Sequence, residues 1–409
     1  MNGSKISRKA YELQCISPVH IGNGDKLKAF EYLYDRKMQE VYFLNESKWI
    51  TFLHHHHLID DFAAYVQNVT KAIQQKEPFR GKNVWEWLQS KNIADSEIRS
   101  LGIRCARAAV NTLEDSRKGT LNDIDCQMAL SDGRPYIPGS SIKGAFRTGM
   151  LCSMIKKNPE KYRLYWEELI KWRKSNLYDK RKTWSAIVQR MESEFLAKLT
   201  IPSEKRLTNE VKSVMRGLLV SDAVCIAPEV ETIILQKLDN TTKENRFGRT
   251  EKRLPLFREC IPTGTKLRFS VTMDFSMLNE IGIYSMDEII QMSRDFIQDG
   301  LNRQREVFGK SYPTEFAEAD TADIFLGGGT GFLTKSLMYI LAPTHEDAKQ
   351  LTAEYLDQAF TVRQKGSIKP AHWHVKCDTK IAPRTLKLTR TRTDRSIMGL
   401  CSIREIDGC

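Results

Sequence analysis

Long apolar runs are missing from this 409-residue chain, and its first residues, MNGSKISRKAYEL, lack the apolar stretch of a secretion signal. Both absences predict a cytoplasmic protein with no membrane partner. Paired cysteine spacing is missing as well. The nine cysteines stand singly at 15, 105, 126, 152, 225, 260, 377, 401 and 409, which predicts neither disulfides nor a zinc site. In a reducing compartment they read as small buried apolar residues. Acidic charge is in deficit, 51 Asp and Glu against 63 Lys and Arg, leaving a net +12. That surplus favours a polyanion such as nucleic acid over a small acidic molecule. Nucleotide-hydrolysis motifs are absent too. The glycines of Phe325-Leu326-Gly327-Gly328-Gly329-Thr330-Gly331-Phe332-Leu333-Thr334-Lys335 fit neither GxxxxGK[ST] nor GxGxxG, and no cofactor is expected.

What is present, 41% hydrophobic residues over this length, suffices for a sizeable core and two or three domains. The chain is organised around Tyr136-Ile137-Pro138-Gly139-Ser140-Ser141-Ile142-Lys143-Gly144-Ala145-Phe146-Arg147. A short strand ends at Pro138, Gly139 turns the chain, Ser140 or Ser141 caps, and Ile142 to Leu151 reads as a helix. Free N–H groups and the dipole at such a helix start favour an anion, and Lys143 and Arg147, four apart, add two charges to one face. A phosphate fits that description, and so does an ordinary capped helix. The glycines from Gly327 to Gly331 form either a backbone nest for phosphates or a close-packed turn without a ligand.

In chain order, Tyr11 to Ile16 reads as a strand, and Ser17 to Gly24 as a loop whose Gly22 and Gly24 let backbone approach a partner. Phe30 to Tyr34 and Glu40 to Leu44 read as two strands around Asp35-Arg36-Lys37. From Lys48 to about Val110 the apolar spacing is helical and predicts an insertion. His54 to His57 lie within it, but adjacent residues on a helix point in different directions, so a solvated face is expected and no metal. Asn111 to Asp125 is polar and aperiodic, an expected loop.

Asn158 to Leu199 predicts a second helical stretch, with Tyr162, Tyr165, Trp166, Trp172, Tyr178 and Trp184 among basic residues. Stacking of unpaired bases is one reading, and packing of a helical hairpin is the one favoured, since six exposed rings would invite aggregation. Val214 to Ala223 and Glu231 to Leu238 read as strands, and Lys243 to Arg253 as a basic loop or hairpin tip. Leu256 to Ile261 and Leu267 to Asp274 read as strands, Asp287 to Phe308 and Ala348 to Phe360 as helices. The tail from Lys376 to Arg395, with Arg384 and Lys387, forms a second basic face.

The string YIPGSSIKGAFRTGML closely resembles the signature of the RAMP superfamily, the RNA-binding subunits of CRISPR effector complexes. CISPVHIGNG, MRGLLVSDA, FLGGGTGFLTKS, APRTLKLT and IMGLC are similar to one branch of it, the fifth-subunit branch of the type III-A (Csm) effector. The resemblance implies an α+β fold of two ferredoxin-like (RRM-like) domains, spanning 1–220 with helical insertions at about 48–110 and 158–200, and 221–409 with the glycine loop and basic tail. It implies a non-catalytic cap on the backbone filament that holds the 3′ part of the CRISPR guide RNA. The implied partners are that RNA, the other Csm subunits, above all those of the backbone, target RNA indirectly, and trimming nucleases.

The RNA contacts it implies are His20, Ser140, Ser141, Lys143 and Arg147, with backbone approach at Gly22, Gly24, Gly327, Gly328, Gly329 and Gly331, and with Arg384 and Lys387 added. Aromatic signatures of base-reading RRM domains are absent, which favours recognition of phosphate and shape. Related backbone subunits cut target RNA with an Asp; Glu31 stands near that place here and reads as a polar strand-end residue. The rival class is a metal-independent endoribonuclease with His20 as acid or base and Lys143 stabilising the transition state. A subunit of the related Cmr complex is a third reading.

Overall fold

The computed structural model describes residues 6–75, 83–108, 121, 123–174, 180–202, 206–242, 250–364, 366–390 and 394–407. Its strands are β1 (Ile6–Cys15), β2 (Gly22–Leu27), β3 (Tyr32–Asp35), β4 (Glu40–Leu44), β5 (Gly102–Ala108), β6 (Ile124–Gln127), β7 (Tyr136–Ile137), β8 (Leu218–Val220), β9 (Ala223–Cys225), β10 (Thr232–Asn240), β11 (Glu251–Cys260), β12 (Lys266–Asp274), β13 (Ile324–Phe325), β14 (Thr361–Gln364), β15 (Ser367–Pro370), β16 (Leu386–Arg390), β17 (Arg395–Ser396) and β18 (Leu400–Ile406). The principal helices are α1 (Glu46–His55), α2 (Ile59–Gln74), α3 (Val84–Gln89), α4 (Asp95–Ser100), α5 (Gly139–Lys157), α6 (Pro159–Lys174), α7 (Lys180–Leu196), α8 (Met286–Phe308) and α9 (His345–Ala359). The fold is α+β.

One sheet runs β13-β18-β1-β12-β9-β7, with β8 also on β12, and its pairings are antiparallel. Its centre, β18-β1-β12-β9, carries α5 in the crossover from β1 to β9 and α8 in that from β12 to β18. Tyr11, Leu13 and Cys15 of this sheet alternate into the core; on the other face Gln14 is exposed and Glu12 is covered by its pairs with Lys266 at 3.2 Å and Arg404 at 3.0 Å. Ile142, Phe146 and Met150, four apart, bury one stripe of α5 in the same core. Helices α5 and α8 cross closely at Gly149, where a Cβ would stand 2.6 Å from Ser293 Cα.

The second sheet runs β2-β6-β11-β10-β5-β4-β3, with β16 on β10 and β17 on β16, and the hairpin of β14 and β15 stands apart. Both large sheets take strands from either side of residue 220, so a division there does not separate them. The sheets join where β1 runs into β2 and β11 into β12. Val19 and Ile261 bridge that joint, each accepting the other's N–H, at 3.0 and 2.7 Å.

Several expectations are corrected. The helical insertion ends at Ser100; residues 102–108 form β5, because they pair with β4 on one side and β10 on the other. Gly22 and Gly24 lie in β2 rather than a loop, with Gly24 at φ +98° in the left-handed region. Val214–Gly217 is a 3-10 turn, and the expected single strand is the two short strands β8 and β9 on either side of Ser221-Asp222. Most of 111–125 and of 243–253 lies outside the described residues, as does Tyr178. His54 and His55 end α1, His56 reaches Glu97 at 2.8 Å, and His57 has φ 56°. Among the described residues no helix is long and apolar enough to cross a membrane.

Candidate nucleic-acid interface

Three segments distant in sequence meet over the joint: residues 20–22, the first turns of α5, and the glycine loop after β13. Loop and joint are locked by the Gly328 N–H, which donates to the His20 carbonyl at 2.7 Å. The approach is so tight that a Cβ at Gly327 would stand 2.1 Å from that oxygen, and φ is +80° there, so glycine is required. The result is a cleft of about 350 Å³ lined by Gly22, Ser141, Gly144, Arg147, Gly327, Gly328, Thr334 and Lys335 above apolar Phe296 and Leu326. A second cleft, about 510 Å³, lies between α5 and α7 and takes in Ser140, Lys143, Gly144 and Arg147. Gly144 and Arg147 line both.

The start of α5 is capped differently from expectation. Pro138 holds the cap position without a side-chain bond, and the Gly139 N–H donates to Asp222 Oδ1 at 2.8 Å. Asp222 can reach because Gly139 presses on the corner after β8; a Cβ there would be 2.2 Å from the Val220 carbonyl oxygen. Ser140 and Ser141 therefore sit inside the first turn and face the clefts instead of capping. With a carboxylate already at the dipole's positive end, attraction for an anion falls to side-chain cations. Arg147 is exposed and pairs with Glu192 at 3.3 Å. Burial, and then the neighbouring Arg147 charge, pushes the Lys143 pKa below the usual lysine range.

His20 is buried, 5% exposed, and its Nδ1 donates to the Glu259 carbonyl at 2.7 Å. Burial lowers its pKa, with the Glu259 carbonyl bond opposing. The ring is a packing element under Gly22, whose Cβ would stand 3.2 Å from Nε2. Gly24 is away from the cleft, and a Cβ there would have nothing within 4 Å. Gly329 and Gly331 are not part of the cleft lining and lie against Arg258 and Lys387. Arg384 is tied to Asp378 at 2.6 Å and to the His372 carbonyl, and Lys387 to Asp239 at 2.6 Å. Glu31 is exposed just before β3 and accepts the Lys28 N–H at 2.7 Å.

Other residues shape the site without a motif to flag them. Buried Glu259 is gripped by both Nη atoms of Arg104 and accepts from Gln127 N at 3.0 Å and Thr232 Oγ1 at 2.7 Å. Gln127 in turn accepts the Ile21 N–H at 2.9 Å, which fixes the floor of the cleft. The aromatic residues of α6 and α7 face inward: Tyr162, Tyr165, Trp166, Trp172 and Trp184 are all buried. Among the described residues no cluster of three His, Cys, Asp or Glu is placed to hold a metal.

The helix start of the YIPGSSIKGAFRTGML string and the glycine loop, far apart in sequence, thus line one cleft together with Arg147 and Lys335. The RAMP superfamily model matches residues 12–280, and the chain belongs to that superfamily. More particularly, it is similar to the CRISPR system Cms protein Csm5 of Streptococcus thermophilus, 26% identical over 330 residues that cover 80% of this chain and 78% of the relative. The Csm5 of Mycobacterium tuberculosis strain H37Rv is 24% identical over 401 residues, 96% of both chains, and that of Enterococcus italicus 22% over 370 residues, 84% of both. Among solved structures, a chain of the cryo-EM structure of a Csm–crRNA–target RNA ternary complex in a type III-A CRISPR-Cas system superposes with a TM-score of 0.59 at 16% identity. That match covers 97% of this chain and 100% of that chain.

Proposed function

We propose that this chain is an RNA-binding subunit of a type III-A CRISPR (Csm) effector, capping the backbone filament at the 3′ end of the guide RNA and supporting guide maturation without cutting RNA itself. One observation carries the reading. The cleft brings Gly22, Ser141, Arg147, Gly328 and Lys335 together from three separate segments, pairing close backbone approach with positive charge. Such a surface suits a phosphodiester backbone and reads no base. In this reading the partners are guide RNA, neighbouring Csm subunits and, indirectly, target RNA and trimming nucleases. The core strand order β18-β1-β12-β9, last-first-third-second in chain order with two crossover helices, supports a ferredoxin-like unit.

A processing nuclease needs an acid or base that reaches the substrate, and the enclosed, carbonyl-bound His20 ring speaks against that role. The test is RNA binding and cleavage by the purified protein over a salt series in EDTA, wild type against Lys143→Ala/Arg147→Ala. Salt-sensitive binding without cleavage, weakened in the double variant, is expected. Cleavage at one site in EDTA, lost in His20→Gln, would make the chain a nuclease.

A further inference from the structure

Where the glycine loop packs on β11 and β16, next to the cleft, positive charge accumulates with few carboxylates to match it. Arg258 of β11 lies under the loop, its Nη1 at 2.6 Å from where a Cβ of Gly329 would be. That Nη1 is buried and has no hydrogen-bond partner among the described residues. Lys387 of β16 passes Gly331, its Cγ 3.7 Å from the corresponding Cβ position. Lys335 reaches back to the Gly327 carbonyl. Lys237 of β10 completes the group: it stands two residues from Asp239, the register partner of Lys387 on β16, and so shares that face of the sheet; burial lowers its pKa, followed by the nearby charge of Lys387. Lys335 is lowered by desolvation and then by Arg258.

Among the described residues two carboxylates face this cluster. Asp239 holds Lys387 at 2.6 Å, and Asp125 is 3.8 Å from Arg258 Nε and shared with Lys26 at 3.1 Å. Four cations with a single close carboxylate partner among them repel one another, and an orphaned guanidinium N–H costs free energy as well. Two β-strands, a third strand and the loop itself supply these charges, so the arrangement is set by the fold and not by one floppy segment.

We propose that Arg258, Lys237 and Lys387 form a phosphate seat beside the Gly329–Gly331 segment, next to Lys335 of the cleft, occupied by one backbone phosphate of the bound RNA. This rests on the RNA-binding reading above and adds to it the group that is recognised and the residues that hold it. Gly329 and Gly331 take φ of +89° and +99°, in the left-handed region that glycine favours. Arg258 packs directly on the loop at Gly329, where a Cβ would stand 2.6 Å from its Nη1, so a side chain there would push the guanidinium aside.

The test uses the full chain, Arg258→Gln and, because Arg258 is part of the packed loop, separately Lys237→Gln on β10. Melting temperatures are compared in sodium phosphate and in sodium chloride at equal ionic strength, and RNA affinity over a salt series. The wild type is expected to gain melting temperature in phosphate. Both variants should lose that gain, melt no lower than wild type in chloride, and show the salt slope of single-stranded RNA binding reduced by about 0.7, the loss of one phosphate contact. An unchanged slope in a folded Lys237→Gln protein that still binds RNA would overturn the seat while leaving RNA binding in place. A phosphate gain in a wild type that binds no RNA would instead sink the RNA reading and make free phosphate the ligand. If both variants melt lower in chloride and keep the phosphate gain, the cluster is structural and the proposal is wrong.

Discussion

The Asp222 carboxylate accepts the Gly139 N–H at 2.8 Å, so the organising helix is capped by a residue 83 positions further along the chain. The contact couples α5 to the corner between β8 and β9 and sets where Ser141, Lys143 and Arg147 face. Removing the carboxylate with Asp222→Ala should cost about 1 kcal/mol, the usual worth of a helix cap. Gly139→Ala should cost more, toward the upper end of about 1–3 kcal/mol for overpacking, since its Cβ meets the Val220 carbonyl oxygen at 2.2 Å. Urea midpoints of the two variants give the order; an Asp222→Ala protein less stable than Gly139→Ala would contradict it.

Glu259 has no exposure and depends on Arg104 for its counter-charge. Arg104→Ala leaves that carboxylate buried with only Gln127 N and Thr232 Oγ1 as donors, and is expected to cost about 3–5 kcal/mol. Glu259→Gln keeps the shape and removes the charge, so pairing it with Arg104→Met should recover much of the loss. The check is a double-mutant cycle in denaturant. Additive losses would show that the pair is not coupled.

His20 gives the fold a pH dependence of known sign. Its pKa is depressed in the folded state by burial, against an ordinary value of 6.5, so below that value the unfolded chain binds more protons. The stability associated with the neutral ring is therefore present above about pH 6.5 and is lost as pH falls toward the folded pKa, at no more than about 1.4 kcal/mol per pH unit. His20→Gln, whose amide can still donate to the Glu259 carbonyl, should flatten the difference between pH 7.5 and pH 5.5. Equal pH slopes for the two proteins in urea titrations would show that His20 is not the titrating group.

Local pattern carried much of this fold: the alternation of Tyr11, Leu13 and Cys15, the hairpin at Asp35, and the four-residue spacing of Ile142, Phe146 and Met150 are all visible in the sequence. Strand β5 was not, because Ile103 is exposed and Arg104 points to Glu259 on a different strand, which leaves no clean alternation to read. The cap on α5 was invisible for a related reason. Ser140 and Ser141 offer a complete local solution, and only the folded corner after β8 brings Asp222 within reach. Of the candidate site, the signature helix and Gly327-Gly328 converge, while Gly24 stands apart and His20 lies beneath them. Arg258 and Lys237 carry no signal, being single basic residues within strands.

The Trp172 and Trp184 rings between α6, α7 and α9 are buried and so are not available to stack on bases. Trp172 meets Trp184 edge-on at 4.8 Å, Trp184 stacks on Tyr355 of α9 at 4.5 Å, and Arg173 pins the same helix through Glu354 at 2.8 Å. These rings are part of a core, and emptying Trp172 to Ala should cost about 3–5 kcal/mol. A conservative Trp172→Phe change should leave RNA affinity and its salt slope as in wild type, and any RNA-induced change in tryptophan fluorescence should persist in that variant. Quenching that disappears in Trp172→Phe would mean that the helical pair opens to stack bases, and that the RNA path runs through the insertion instead of along the glycine loop.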